Sequence, residues 1–262
     1  MRSRQFVTGA LLAISAVQSV SAQVDTVKRR RLFGWRDVAL VEAFAIASVG
    51  VAPLDKSIAS RLQNPNVQEN RMLGNTATIV KTIADPGSFL IGAGLYAYGR
   101  LAKNERAADL GLHGTEALAI GAGIGNVLKG IVGRARPYKD VNNPHDYVAF
   151  RGFGNGTDYR SFPSGHTIAA FAAASAVTSE TSRWWPKSVW FIAPTMYGGA
   201  AAVGASRMYN NKHWASDVIT GAAIGTFAGL KVVQWHHSHA GNWIDRIFLA
   251  PRPQGVAVGI SK

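Results

Sequence analysis

Glu105–Val132, read as ERAADLGLHGTEALAIGAGIGNVLKGIV, is the stretch that decides the architecture. Asn104 stands before it as a capping side chain, Glu105 puts an acid in the first turn, and Gly133 follows as a helix stop. Within it, Gly121 and Gly125 recur at helical spacing, a pattern that lets another helix backbone come close. Moving outward, the same reading predicts helices over 37–51, 55–62, 76–83, 86–102, 165–179, 186–205 and 214–235, with little strand alternation anywhere. Asp85-Pro86 reads as a helix start, with a cap before proline. Gly221, Gly225 and Gly229 form a second small-residue face. The expected fold is all-α. Residues 255–260 alternate weakly and read as a short terminal strand.

The chain has 262 residues and carries a formal charge of +13. Arg2 and Arg4, the apolar stretch Phe6–Val17 and Val20-Ser21-Ala22 predict an export signal over residues 1–22, followed by a single helical domain over 23–262. Cysteine is absent, which excludes disulfides, thiolate metal sites and a cysteine nucleophile. The basic excess implies anionic partners: a phosphorylated small molecule or lipid, and an anionic membrane surface. Nucleic acid is excluded as a partner by export and by the lack of zinc-finger or basic-heptad spacing. Lys28-Arg29-Arg30-Arg31 beside Phe33 and Trp35 offers a dock for anionic headgroups, but the favoured reading is a solvated N-terminus of the mature chain. Of the apolar runs, only 188–205 is free of charge near spanning length, and it holds Pro194. With a mean hydropathy of +0.05, the reading favours an exported globular domain that touches the membrane over an integral bundle.

Three blocks carry chemistry: Lys129 to Arg136-Pro137, Pro163-Ser164-Gly165-His166, and Ser206-Arg207 to His213 and Asp217. Phosphoryl transfer spreads negative charge over equatorial oxygens, so its site needs fixed cations and donors. Lys129, Arg136 and Arg207 supply the cations, and arginine adds a forked donor that matches phosphate. Pro163-Ser164-Gly165 reads as a helix entrance whose free N–H groups and dipole favour anions. Ser164 can cap that helix or donate to phosphate, and Gly165 permits close approach of the backbone. His213 and Asp217, four residues apart, share a helical face, so the acid can hold Nδ1 and leave Nε2 toward phosphorus. His166, in the first turn of the other helix, can reach the same anion from the opposite side.

Together these blocks resemble the type 2 phosphatidic acid phosphatase superfamily, whose signature reads K-x6-R-P, P-S-G-H and S-R-x5-H-x3-D; the match covers about 75–235 without departures. The resemblance implies a helical bundle of the type 2 phosphatidic acid phosphatase / vanadium haloperoxidase type. It implies a metal-independent phosphatase acting on a phosphomonoester or diphosphate, with no cofactor. His213 would form a phosphohistidine and Asp217 would orient it. His166 would protonate the leaving group and later activate water. Lys129, Arg136, Ser164, Gly165 and Arg207 would cradle phosphate. Basic charge and export favour a lipid phosphate, with a site outside the cytoplasm. A soluble acid phosphatase and a vanadium-dependent haloperoxidase share the signature and are the alternatives.

Residues 138–162 form a loop without periodicity between the first two blocks, expected on the substrate side. His145, Asp146 and Asp158 within it read as solvated. His236-His237-Ser238-His239 is not expected to bind metal, because close spacing on a helix end converges poorly and no acid or cysteine completes the set. His113 reads as structural.

Overall fold

The structure, a computed structural model, describes residues 32–154, 156–239 and 241–249. Those residues form ten α-helices: α1 (Trp35–Val51), α2 (Asp55–Leu62), α3 (Pro65–Gln68), α4 (Arg71–Thr82), α5 (Ser88–Leu101), α6 (Glu105–Val132), α7 (Gly165–Trp184), α8 (Val189–Tyr209), α9 (Ala215–Ser238) and α10 (Trp243–Phe248). No strand occurs among them; one isolated bridge joins Arg134 to Tyr147. The fold is all-α, as the sequence predicts. The export signal at 1–22, the basic run at 28–31 and the terminal strand at 255–260 lie outside the described residues.

The caps read from sequence explain the bounds of α6. The Asn104 side chain accepts from Ala107 N at 3.1 Å, and Gly133 closes the helix in the left-handed region at φ 55°. A different outcome holds at Asp85-Pro86. The chain does not start a helix there but continues from α4 through a single wide turn, Ile83–Gly87, into α5. Proline lacks the N–H for one helical bond, and the wider turn absorbs that loss without breaking the helix.

The core is made of α6, α7 and α9. Glycine lets α9 lie almost backbone to backbone on α7: a Cβ at Gly225 would stand 2.3 Å from Ile168 O, and one at Gly229 2.6 Å from Ala172 O. Ala117, Leu118, Ala172, Ala176, Val232 and Val233 fill the interior between the three. Small side chains on straight helices therefore set the helix positions, and those positions bring the three sequence blocks to one end.

The outer surface changes one expectation. Three stretches, Trp35–Leu62, Glu105–Val132 and Ala215–Ser238, are long and apolar enough to cross a membrane. Large apolar side chains face outward, among them Ile46, Val49, Met72, Leu101 and Trp190. A globular domain resting on a bilayer would bury such a belt; this one displays it, as a lipid-facing surface does. A criterion of charge-free runs passes over these stretches because they hold charges near the helix ends, such as Lys129 and Asp217, which are buried in the interior and do not face lipid.

Candidate active site

The three blocks meet where α6 ends and α7 and α9 begin. They line one cavity of about 250 Å³, bounded by Lys129, Arg136, Gly165, His166, Arg207 and His213. Of the sequence-predicted residues, Ser164 and Asp217 stand behind this lining.

Each side chain has a local reason for its place. Lys129, in the last turn of α6, donates to the carbonyls of Arg160 and Pro163, the first at 3.0 Å. Those bonds fix the ammonium at the mouth of α7. Arg136, just past the helix, donates from Nε to Thr157 O at 2.8 Å and from Nη1 to Lys212 O at 2.9 Å. Its Nη1 also stands 3.4 Å from His213 Nε2. Arg207 occupies the last turn of α8 and is buried. His166 is the second residue of α7, where backbone N–H groups lack intrahelical partners and favour an anion.

Ser164 departs from one of its two expected uses. It sits at the N-cap of α7 without a capping bond, and its Oγ instead accepts from Thr167 Oγ1 at 2.8 Å. That geometry leaves its own hydroxyl proton for a partner. A Cβ on Gly165 would meet only Lys129 Cε at 3.6 Å, an ordinary contact, so no protein atom demands a glycine there.

His213 lies in the turn before α9, and only 3 % of it is exposed. Burial pushes its imidazole down to about 3; the Asp217 carboxylate opposes that shift, and Lys129 and Arg136 reinforce it. The ring is thus neutral, the form that can act as nucleophile. Asp217 Oδ2 stands 3.6 Å from His213 Nδ1, which is an electrostatic contact and not a hydrogen bond. The carboxylate is occupied elsewhere: Oδ2 accepts from Ser161 Oγ at 2.5 Å and Trp214 N at 2.9 Å, and Oδ1 from Arg134 Nη1 at 2.6 Å.

Arg134, Asp55 and Ser161 are the residues that sequence reasoning missed. Arg134 is fully buried and joins Asp217 to Asp55, donating from Nη2 to Asp55 Oδ2 at 2.8 Å. Asp55 in turn accepts from Ser216 N at 2.9 Å and Ser216 Oγ at 2.5 Å. This layer locks the start of α9 against the end of α6. Arg160 was also missed. It projects from the 138–162 loop into the cavity lining, held by Gly152 O at 2.6 Å and Asn126 Oδ1 at 3.2 Å. Within the loop Asp146 pairs with Arg151, and Asp158 with Tyr138 and Lys139, while backbone bonds such as Ala135 N to Asp146 O and Arg136 N to Asp158 O tie it to the segment after α6. An arginine inside a block's variable positions, and one inside an aperiodic loop, carry no spacing signal that would separate them from solvated charges.

The cavity's chemistry is one-sided. Lys129, Arg136, Arg160 and Arg207 face it, no carboxylate lines it among the described residues, and Phe89, Ala122, Ile168 and Ala169 continue it as an apolar wall. Such an arrangement can bind an anion attached to an apolar body.

Comparison with known proteins agrees with that chemistry. The sequence profile described as "PAP2 superfamily" matches residues 112–240. The chain is 41% identical over 98 residues to a lipid A 1-phosphatase of Porphyromonas gingivalis, a match covering 37% of this chain and 19% of the relative. It is 37% identical over 111 residues to the lipid A 1-phosphatases of Rhizobium johnstonii and Rhizobium etli, covering 41% of this chain and 40% and 42% of those relatives. It thus spans less than half the length of these relatives. A transmembrane PAP2-type phosphatidylglycerolphosphate phosphatase from Bacillus subtilis has a similar fold, with TM-score 0.55 and 21% identity over 78% of this chain and 97% of that one.

Proposed function

The chain belongs to the PAP2 superfamily, and on that footing we propose that it is a membrane-embedded phosphatase that removes phosphate from a lipid. The observation that carries this reading is one cavity in which two histidines, four cations and an apolar wall meet, with no carboxylate among the described lining residues. Lys129, Arg136, Arg160 and Arg207 hold the phosphate oxygens, with help from the Ser164 hydroxyl and the Gly165 amide. His213 Nε2 attacks phosphorus, and the bond to the leaving oxygen breaks as His166 gives that oxygen a proton. Water then attacks the phosphohistidine; His166 takes its proton, inorganic phosphate leaves, and both imidazoles return to their starting forms. Asp217 steadies the charge on His213 from behind.

The apolar wall accommodates the lipid portion, and the relatives' names point to a lipid A 1-phosphate as the substrate to try first. Orientation follows from α1. The basic run 28–31 precedes its first turn in the sequence, and basic flanks stay in the cytoplasm, so α1 carries the chain outward to Asp55 and the cavity. With α1 spanning, a signal cleaved after Ala22 would reverse that orientation, so the proposal keeps the outward-facing site and gives up cleavage.

Purified protein should release phosphate from lipid A 1-phosphate, and rapid acid-free quenching with radiolabelled substrate should trap label on His213. His213→Ala should lose label and lower turnover by roughly 10⁴-fold or more. Turnover retained in that variant overturns the mechanism; equal rates on soluble esters and lipids overturn the lipid assignment. An N-terminus found at Gln23 overturns the orientation.

A further inference from the structure

At the far ends of the same three helices lies a second cluster that the phosphatase reading does not use. His113 is sixteen residues before Lys129 on α6, roughly 24 Å along the helix. Glu180 is fourteen residues past His166 on α7, and His237 is twenty past Asp217 on α9. These three side chains meet. Glu180 Oε1 touches His113 Nδ1 and stands 2.9 Å from His237 Nε2, whose distance to Oε2 is 3.0 Å. The expectation that no acid completes the histidine tract is therefore overturned: the acid comes from another helix, 57 residues away in sequence.

We propose that His113, Glu180 and His237 bind one divalent transition-metal ion of the zinc type, which clips α6, α7 and α9 together. Three observations support this. The ligand atoms lie within 4.8 Å of one another. The two imidazole rings stand at 89° to each other, and each presents one nitrogen to the same Glu180 carboxylate. Two histidines and a glutamate form a known zinc donor set, with a position left open. The electrostatics point the same way. Glu180 is 1 % exposed, and among the described residues its ionic partners are these two histidines, with no lysine or arginine. A buried carboxylate needs a compensating charge, and a bound cation at this carboxylate would supply it. Among the described residues His113 Nε2 is buried with no hydrogen-bond partner, so the ring's polar contact is on its Glu180 side.

The neighbouring group, His113 with His236 and Asp245, fits less well. Those two rings stack with centroids 3.9 Å apart and planes 24° from parallel, so their lone pairs do not meet. His236 instead bridges Glu116 and Asp245, at 2.6 Å to each, and backs His113 with its ring face. His237, half-buried, is the ligand through which an ion would enter.

The test uses the full chain in detergent micelles, stripped with chelator and titrated with Zn²⁺. One ion per chain should bind, and the melting temperature should rise by several degrees. His237→Gln, at the least buried ligand, should weaken binding at least tenfold and abolish the shift, while His239→Gln, outside the triad, should keep both. Co²⁺ bound to the unaltered chain should show the visible bands of a tetrahedral nitrogen–oxygen site, a readout that survives if His237→Gln fails to fold. Absence of uptake or of those bands overturns the proposal, as does undiminished binding in His237→Gln.

Discussion

The helices α6, α7 and α9 meet at both of their ends, and the two meetings are built on opposite electrostatic plans. At the cavity end, four cations face inward while the acids Asp55 and Asp217 are withheld one layer behind, gripped by buried Arg134. At the other end, Glu116, Glu180 and Asp245 touch imidazoles directly. The difference is what an incoming anion would require. A carboxylate 4 Å from a bound phosphate repels each unit of its charge by about 4 kcal/mol at an effective dielectric of 20. The same acid behind a guanidinium can orient His213 without meeting that anion. The far end needs no such screening, because its charges are paired among themselves or by a cation.

The sharpest way to break this contrast is to remove the screen. Arg134→Met leaves Asp55 and Asp217 buried and uncompensated, which should cost about 3–5 kcal/mol of stability. It also strips the cation from the rings of Tyr147 and Trp214, whose centroids are 4.9 and 5.3 Å away. Thermal unfolding in detergent measures it. Arg134→Lys should recover only part, since one ammonium cannot serve both acids and the Pro144 carbonyl. A melting temperature unchanged in Arg134→Met would show that the layer screens nothing.

Next in size is Arg160→Ala, which tests whether the loop contributes a working cation. Loss of one charged hydrogen bond to phosphate is worth about 1.5–3 kcal/mol, or roughly 10–100-fold in kcat/KM. Stability should change little, because among the described residues the Arg160 side chain bonds to Gly152 O and Asn126 Oδ1, while the Arg160 carbonyl that holds Lys129 is kept in the variant. An unchanged kcat/KM would return Arg160 to the solvated charges among which sequence reading left it.

A smaller effect is expected with pH. A free histidine titrates near 6.5, so its neutral fraction falls about tenfold between pH 7.5 and 5.5. His213, pushed down to about 3 by burial, stays neutral across that range. The sign is that acidification does not disarm the nucleophile, and kcat/KM should not decline through pH 6.5. A decline centred there in kcat/KM would place a solvated imidazole at the attacking position.

What could be read in the sequence follows the same division. Blocks with fixed spacing gave Lys129, Arg136, His166, Arg207 and His213, which the fold gathers round one cavity, because local spacing on a helix or turn is set by the backbone itself. The bounds of α6 were legible for the same reason: its cap and its stop are local. Asp55 and Arg134 were not legible, since their meeting depends on how α2 lands against the end of α6. Glu180 was hidden from His237 in the same way, two helices converging from distant sequence positions. The membrane surface was passed over because a charge inside an apolar run reads as a break, whereas in the fold Lys129 and Asp217 are buried and leave the lipid-facing side apolar.

Gly165 sets the finest test of the comparison, because its expected effect is the smallest. At Gly225 a methyl group would collide with backbone, so glycine there is a packing requirement. At Gly165 a methyl group would rest against Lys129 Cε at 3.6 Å, with no collision and no unusual backbone angle. Gly165→Ala should therefore leave the melting temperature within about 2 °C, since the change also removes some chain entropy from the unfolded state. If the phosphate approaches the α7 amide as closely as proposed, the same methyl group intrudes on the substrate, and KM should rise by less than about tenfold while kcat falls little. A variant equal to the original in both constants would mean that the anion sits nearer the arginines of the loop and of α8 than the start of α7.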